Sequence, residues 1–290
     1  MGKQVVDTEK LEKIANRIRI KSIKMLGRTT GHVGGSMSIA EMLAVLYFHE
    51  MNIDPMDPDY EDRDRLVLSK GHACPALYST LIEVGFIPEE DLMTLHVMDS
   101  ILQGHPDMTV CPGIDMSTGA LGQGFSAAAG MALAAKVKGK TLRVYAIVGD
   151  AETHEGQVWE TAMFASKYKL DNLVTIVDSN KFALSEKIEK VMPVEPAVER
   201  WKSFGWHVIE IDGHSIPEII DALSEAKKTK GKPTAIIAHT IKANKVSCWV
   251  GKWQCHSVTL TPEQVEQTLR ELGCPEEEIE LTLSQIREEN

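Results

Sequence analysis

The segment VYAIVGDAETHEGQVWE, residues 144–160, constrains the fold more than any other part of the chain. A run of β-branched and aromatic residues stops at Gly149-Asp150, and a helical-looking stretch follows. The same alternation continues downstream. Strands are expected over 142–148, 172–178, 206–212 and 234–240, with helices over 156–167 and 215–229. RLVLS, residues 65–69, reads as another short strand. Strands alternating with helices imply an α/β fold, a parallel sheet with helices on both faces.

The remaining segments fit around that sheet. Residues 8–26 place Leu11, Ile14, Ile18, Ile23 and Leu26 at helical spacing and stop at Gly27. Ser38 followed by Glu41 has the form of a capping box that opens a helix running to about His49. A turn-rich loop begins at Asp54. Helices are expected to Val84 and from Pro88 to His96, then a loop over 99–119. GALGQGFSAAAGMALAAKVKG contains many small residues, which permit close backbone approach. It is expected to be a buried helix, with 125–135 as an interface element. The span 261–288 is expected to be an amphipathic helical tail, followed by an acidic end. No internal repeat or low-complexity linker divides the chain, so residues 1–290 are expected to form a single domain.

Composition excludes several partners. The 290 residues are 43% hydrophobic and 25% charged, with a formal net charge of -11. An acidic balance argues against nucleic acid or an anionic membrane surface, both of which need clustered Lys and Arg. No stretch approaches the roughly 18 apolar residues of a membrane helix, and no targeting segment is visible. The cysteines, Cys74, Cys111, Cys248, Cys255 and Cys274, are odd in number and scattered, which fits reduced thiols and a cytoplasmic location. Cys248, Cys255 and His256 match no standard zinc spacing and lack a fourth ligand.

In a parallel α/β sheet, ligands bind beyond the carboxyl ends of the strands. Asp150, Asp178, Asn180, His239 and the group Ser69–His72 are all expected there. Two ligands compete. Clustered glycines in GALGQGFSAAAG suggest a dinucleotide, but that fingerprint must follow a strand. The preceding CPGIDMST is not strand-like. The alternative is a diphosphate held through a divalent cation, which prefers hard oxygen ligands. Asp150 supplies a carboxylate and Asn180 an amide, on strands joined by one helix. Together they carry one negative charge and leave the cation positive for the diphosphate. Taken singly, Asp150 reads as a helix cap and Asn180 as a turn residue.

TGHVGGSMS, EDRDRLVLSKGHACPALY, LQGHPDM, CPGIDMSTGALGQGFSAAAGMALAAK, EGQVWETAMFASKYKLDNLVTIVDSN, RWKSFGWHVIEIDGH and KGKPTAIIAHTIK occur in this order. In this series the chain resembles, nearly end to end, the N-terminal subunit of a split transketolase. The resemblance implies thiamine diphosphate bound through Mg²⁺, with Ca²⁺ as an alternative. It implies that Asp150, Asn180 and the carbonyl of Phe182 ligate the cation. Gly149 and the amide of Ala151 would line the diphosphate, and Gly119, Leu121 and His72 would lie against the cofactor. His32, His72, His105 and His256 match histidines around the substrate. Imidazoles near their usual pKa of ~6.5 would relay protons there. Glu155 would couple two active sites across a subunit interface.

The activating glutamate and the aromatic pocket for the aminopyrimidine belong, in this family, to a second domain. The resemblance therefore implies a separate C-terminal subunit with a pyrimidine-binding domain, an α₂β₂ heterotetramer, and ketol transfer between sugar phosphates. A related carboligase with a specialised substrate, or a degenerate non-catalytic subunit, are the alternatives. Three departures bear on this reading. Ala151 stands where the family has glycine; a positive φ there would cost about 1 kcal/mol. Lys181-Phe182-Ala183 replaces a usual Gly-Leu-Gln. The loop 242–258 departs most, and its Trp249 and Trp253 either reshape the donor pocket or simply pack.

Overall fold

The computed structural model describes residues 6–287. In chain order the helices are α1 (Thr8–Arg28), α2 (Val33–Met37), α3 (Ala40–Val45), α4 (Cys74–Val84), α5 (Gln123–Val137), α6 (Gly156–Lys167), α7 (Ile188–Val191), α8 (Ala197–Ser203), α9 (Ile216–Lys228), α10 (Pro262–Glu271) and α11 (Glu276–Arg287). The strands are β1 (Arg65–Leu68), β2 (Val144–Gly149), β3 (Leu173–Ser179), β4 (His207–Asp212) and β5 (Thr234–His239). They form one sheet in the order β1-β2-β3-β5-β4, with every neighbouring pair parallel.

Side-chain alternation sorts the core into two layers. Leu66, Leu68, Tyr145, Ile147, Val174, Ile176 and Ile236 face one way, onto a cluster that includes α1, α3, α4 and α9. Val67, Val144, Ala146, Val148, Val177, Ala235 and Ile237 face the other way, onto α5, α6 and α8. The central strands β2 and β3 are buried at every position, which explains why they read as unbroken apolar runs. The small-residue helix α5 packs Ala128, Ala129 and Ala132 into this second layer. Its start lies so close to β1 that a Cβ on Gly124 would approach the Ser69 Cα to 2.9 Å.

Three local expectations are corrected. Ser38 and Glu41 do not form a capping box. Ser38 Oγ donates to Asp178 Oδ2 (2.8 Å), while Glu41 accepts from Arg19 Nη2 (2.5 Å) and bonds His214 Nδ1 (3.1 Å). Both side chains were recruited by distant partners, so neither was left for the helix end. The segment after Pro88 is a 3₁₀ turn over Glu89–Thr94 rather than a helix to His96. The C-terminal span is two helices, because the chain turns at Gly273 with φ 72° between α10 and α11. Its last residue and the acidic end lie outside the described residues. Among the described residues no helix is long and apolar enough to cross a membrane, and all five cysteines are free thiols.

Candidate active site

The register of the sheet builds the site. Gly149 pairs with Asp178, and Asp150 N–H donates to the Asp178 carbonyl at 3.1 Å. The chain past β2 and the chain past β3 therefore leave the sheet side by side. Asp150 is buried and turns into a cleft of about 280 Å³. The cleft is lined by the four histidines together with Gly119, Leu121, Gly149, Ala151, Asn180 and Phe182. Lys70, Glu152 and Lys242 also line it. Nearly the whole set of site residues expected from the sequence converges here.

The Asp150 carboxylate accepts from Ala151 N–H (2.8 Å) and Lys181 N–H (2.6 Å). Burial and the neighbouring Asp178 charge push its carboxyl up to about 7, despite those two donors. Ala151 opens a 3₁₀ turn over Ala151–His154 without positive φ, so the missing glycine carries no strain. Lys181 does adopt φ 68°. A left-handed residue of this kind costs roughly 1–2 kcal/mol, and it turns the chain just after the amide that Asp150 holds. Asn180 Nδ2 donates to Asp178 Oδ2 (2.9 Å), and Asn180 Oδ1 accepts from Phe182 N–H (3.1 Å).

The histidines reach the cleft from four separate places. His32 precedes α2, His72 lies in the 3₁₀ turn Gly71–Ala73, His105 lies in a loop, and His256 lies in the 3₁₀ turn Trp253–His256. The ring centroids of His32 lie 5.1 Å from His72, 6.3 Å from His105 and 5.1 Å from His256; His72 and His256 are 4.9 Å apart. A two-way bridge between Gly31 and Val258 ties the loops of His32 and His256 together. Tyr78 Oη donates to the carbonyls of Gln103 and His105, holding the third loop.

The expectation of imidazoles near their usual pKa is corrected. Burial, reinforced by His105, pulls His32 down to about 4. Burial and the Lys242 charge take His256 down to about 3, and burial with Lys70 holds His72 well below the usual range. At neutral pH these three rings are neutral, each with one N–H donor and one acceptor. A histidine with a depressed native pKa contributes stability above about pH 6.5, and that contribution is lost as pH falls toward the native value. The unfolding midpoint is accordingly expected to drop between pH 6.5 and pH 4. The variant His32→Asn/His256→Gln is expected to show a flatter profile in thermal denaturation over that range.

Four residues of the site take on roles that the sequence did not single out. Lys70 is buried and donates to Asp178 Oδ2 (2.6 Å) and the Gly35 carbonyl (2.8 Å). Glu152 is buried and ties Gly149 N–H (2.9 Å), Gly122 N–H (2.8 Å) and Ser69 Oγ together behind the cleft floor. Lys242 donates to the Ala183 carbonyl at 3.1 Å, and burial lowers its pKa. A Cβ at Gly34 would approach the Lys242 stem to 2.9 Å, so a glycine is what admits this lysine. Asp178, expected only as a polar strand end, is the hub of the Lys70 contact. The KGH motif and the Gly-Gly within α2 were the available sequence signals.

Some expected residues lie elsewhere. Glu155 is exposed at the start of α6 and does not line the cleft; its Cβ is 3.3 Å from the position of a Cβ on Gly122. His239 pairs with Glu210 at the sheet edge, away from the cleft. Trp249 packs against the core and Trp253 is partly exposed; neither lines the cleft.

The donor set fits a cation carried by a diphosphate. Among the described residues no group of three or more His, Cys, Asp or Glu side chains is arranged to hold a metal alone. One carboxylate and one amide oxygen leave most of a hard cation's coordination shell to other oxygens, such as those of a diphosphate. Lys242 adds a cation at the same cleft, and the open backbone at Gly149 allows close approach, with no atom nearer than 3.8 Å to an added Cβ.

Comparison with known proteins gives the family. A family model described as transketolase, thiamine diphosphate binding domain, matches residues 10–288. The 6-deoxy-6-sulfo-D-fructose transketolase subunit SqwG of Clostridium sp. (strain MSTE9) is 45% identical over 272 residues, covering 94% of this chain and 98% of that one. One of the subunits of the apulose-4-phosphate transketolase of Phocaeicola vulgatus is 42% identical, covering 92% and 95%. The crystal structure of transketolase from Campylobacter jejuni is similar with a TM-score of 0.88 at 30% identity, covering 98% of this chain and 49% of that one. The chain thus spans about half the length of that solved transketolase. With its parallel sheet, its cleft beyond β2 and β3 and this match over almost its whole length, the chain belongs to the transketolase family, as a member of the family's thiamine-diphosphate-binding domain.

Proposed function

We propose that this chain is the N-terminal subunit of a two-chain transketolase, which moves a two-carbon ketol unit from a ketose phosphate to an aldose phosphate. The observation that carries this reading is the meeting of Asp150 and Asn180 from adjacent strand ends, beneath four clustered histidines. Asp150, Asn180 and the Phe182 carbonyl hold Mg²⁺, or Ca²⁺ in its place. Gly149 and Ala151, whose N–H groups are held by Glu152 and Asp150, line the diphosphate, and the Lys242 ammonium receives it. Gly119, Leu121 and His72 lie against the cofactor. Thiamine diphosphate, when bound, supplies the carbon nucleophile and the electron sink.

The chain's own residues bind, orient and move protons. His32, His72, His105 and His256 surround the donor carbonyl and hydroxyls. A neutral ring accepts a hydroxyl proton at its free nitrogen and donates from the other to a developing oxyanion. His32, His72 and His256 are partly buried, which strengthens each of these contacts. Glu155, exposed on the rim, meets a second subunit, as does the α5 region at 125–135. The partner subunit brings the pyrimidine-binding domain, and the assembly is α₂β₂. A cytoplasmic location fits the free thiols.

A narrower reading, a specialised ketose as donor, is favoured by one observation. Two relatives above 40% identity are named for two different ketoses, a sulfonated one and apulose 4-phosphate. The divergent loop 242–258 carries His256 and Lys242 into the cleft.

The experiment is recovery of tagged chain from its source lysate with thiamine diphosphate and Mg²⁺. A stoichiometric partner with a pyrimidine-binding domain is expected. The complex should transfer ketol units, and a donor panel of phosphorylated and sulfonated ketoses then ranks substrates. The isolated chain should give no turnover. Recovery of the chain alone, as a cofactor-free homo-oligomer, would count for a degenerate, non-catalytic role and against this proposal.

A further inference from the structure

We propose that Asp178 is a positioning residue for the cation site: it orients the Asn180 amide so that the carbonyl oxygen, and not the NH₂ group, is offered to the cation. The inference rests on the reading of Asp150 and Asn180 as cation ligands. An ionised carboxylate only accepts hydrogen bonds. Asp178 Oδ2 takes one from Asn180 Nδ2 at 2.9 Å, which leaves the amide a single orientation. Asn180 Oδ1 is turned the other way, where Phe182 N–H donates to it at 3.1 Å. A carbonyl oxygen has a second lone pair, and a hard cation needs such an oxygen.

Asp178 is itself held rigidly. It is fully buried and accepts from Lys70 Nζ (2.6 Å), Ser38 Oγ (2.8 Å) and Thr240 Oγ1. These donors come from the turn after β1, from the segment between α2 and α3, and from the end of β5. Four parts of the fold thus converge on one carboxylate, and two of its contacts, Asn180 and Lys70, lead back to the cleft. Lys70 also cancels the Asp178 charge. Without that cancellation two carboxylates, Asp150 and Asp178, would stand at adjacent strand ends, and a bound cation would keep no net positive charge for a diphosphate. The two aspartates therefore divide the work: Asp150 faces the cleft, and Asp178 faces inward and acts through Asn180.

The test uses the full chain with its partner subunit, saturating thiamine diphosphate, and Mn²⁺ as the probe, with free Mn²⁺ counted by electron paramagnetic resonance. Asp178→Asn is expected to weaken Mn²⁺ binding about tenfold or more, the range for loss of a group that orients a metal ligand. Asn180→Ala should weaken it comparably, and Asp178→Asn/Asn180→Ala should be no worse than Asn180→Ala alone. The exchange Asp178→Asn/Asn180→Asp should recover most of the loss, because a carboxylate at 180 presents an oxygen whichever way it faces.

Additive losses with no recovery in the exchange variant overturn the inference and leave the ligand reading standing. Failure of the unmodified complex to bind Mn²⁺, or no effect of Asn180→Ala, overturns the ligand reading and the inference with it. If Asp178→Asn does not fold because Lys70 is left unpaired, the same comparison is made in a Lys70→Gln background, where neither member of the buried pair carries charge.

Discussion

Replacing Asp150 with alanine is expected to abolish cation-dependent turnover of the assembled enzyme while leaving the chain folded. Of the two carboxylates that line the cleft among the described residues, Glu152 is taken up by Ser69, Gly122 and Gly149, which leaves Asp150 for the proposed cation, and Asn180 contributes no charge. Removing it leaves a divalent ion held by an amide, a backbone carbonyl and the diphosphate. A metal's electrostatic contribution of several kcal/mol corresponds, at 1.36 kcal/mol per tenfold, to a loss of about 10³-fold or more. The loss should appear both in ketol transfer and in cofactor affinity measured by calorimetry. The fold should tolerate the change better than the activity does. Burial and Asp178 push the Asp150 carboxyl up to about 7, so the ionised group is a burden on the cofactor-free chain. Its hydrogen bonds from Ala151 and Lys181 offset part of that burden. Asp150→Asn removes the charge but keeps an acceptor for only one of those amides, which donate to different carboxylate oxygens; the two effects oppose, and its thermal midpoint should lie close to that of the unmodified chain. Unchanged turnover in the alanine variant would sink the assignment of the cation site.

The largest effect on stability is expected from Lys70→Met. Lys70 and Asp178 are both buried, with the ammonium and carboxylate 2.6 Å apart. Burial by itself would raise the Asp178 carboxyl pKa; the Lys70 charge together with the hydrogen bonds from Lys70, Thr240 and Asn180 outweighs it and holds the group below its ordinary range. Removing one member of such a pair leaves an uncompensated charge in the interior and costs about 3–5 kcal/mol. That is a large part of the roughly 5–15 kcal/mol typical of a folded domain. Chemical denaturation should show the loss. Lys70→Met/Asp178→Asn, which removes both charges and keeps a polar partner for Ser38, Thr240 and Asn180, should recover a substantial share. Additive destabilisation in the double variant would mean that the pair contributes through packing alone.

The architecture was legible because periodicity is local. The apolar runs at β2 and β3 and the helices between them announce a parallel sheet, since each strand must be buried on both faces and each helix on one. The observed strands lie within two residues of their expected limits. The site was legible for a related reason: strand ends in such a sheet share one edge, so Asp150 and Asn180 had to meet once β2 and β3 were neighbours. The roles of the histidines came from the order of whole motifs and not from spacing, because His32, His72, His105 and His256 are carried by four separate segments.

What the sequence by itself determined was the layer architecture, the edge where chemistry collects, and the identity of the groups delivered there. Tertiary structure alone decided how those groups are charged and aimed. Ser38 and Glu41 have the spacing of a helix cap, yet partners far along the chain took both. Lys70 and Asp178 are separated by 108 positions and became a buried pair. Three histidines were driven neutral by burial among lysines and one another, and Glu155 was left outside the cleft that Asp150 faces. Each of these outcomes depends on desolvation and on long-range neighbours. Both are properties of the packed chain, which no stretch of residues carries alone.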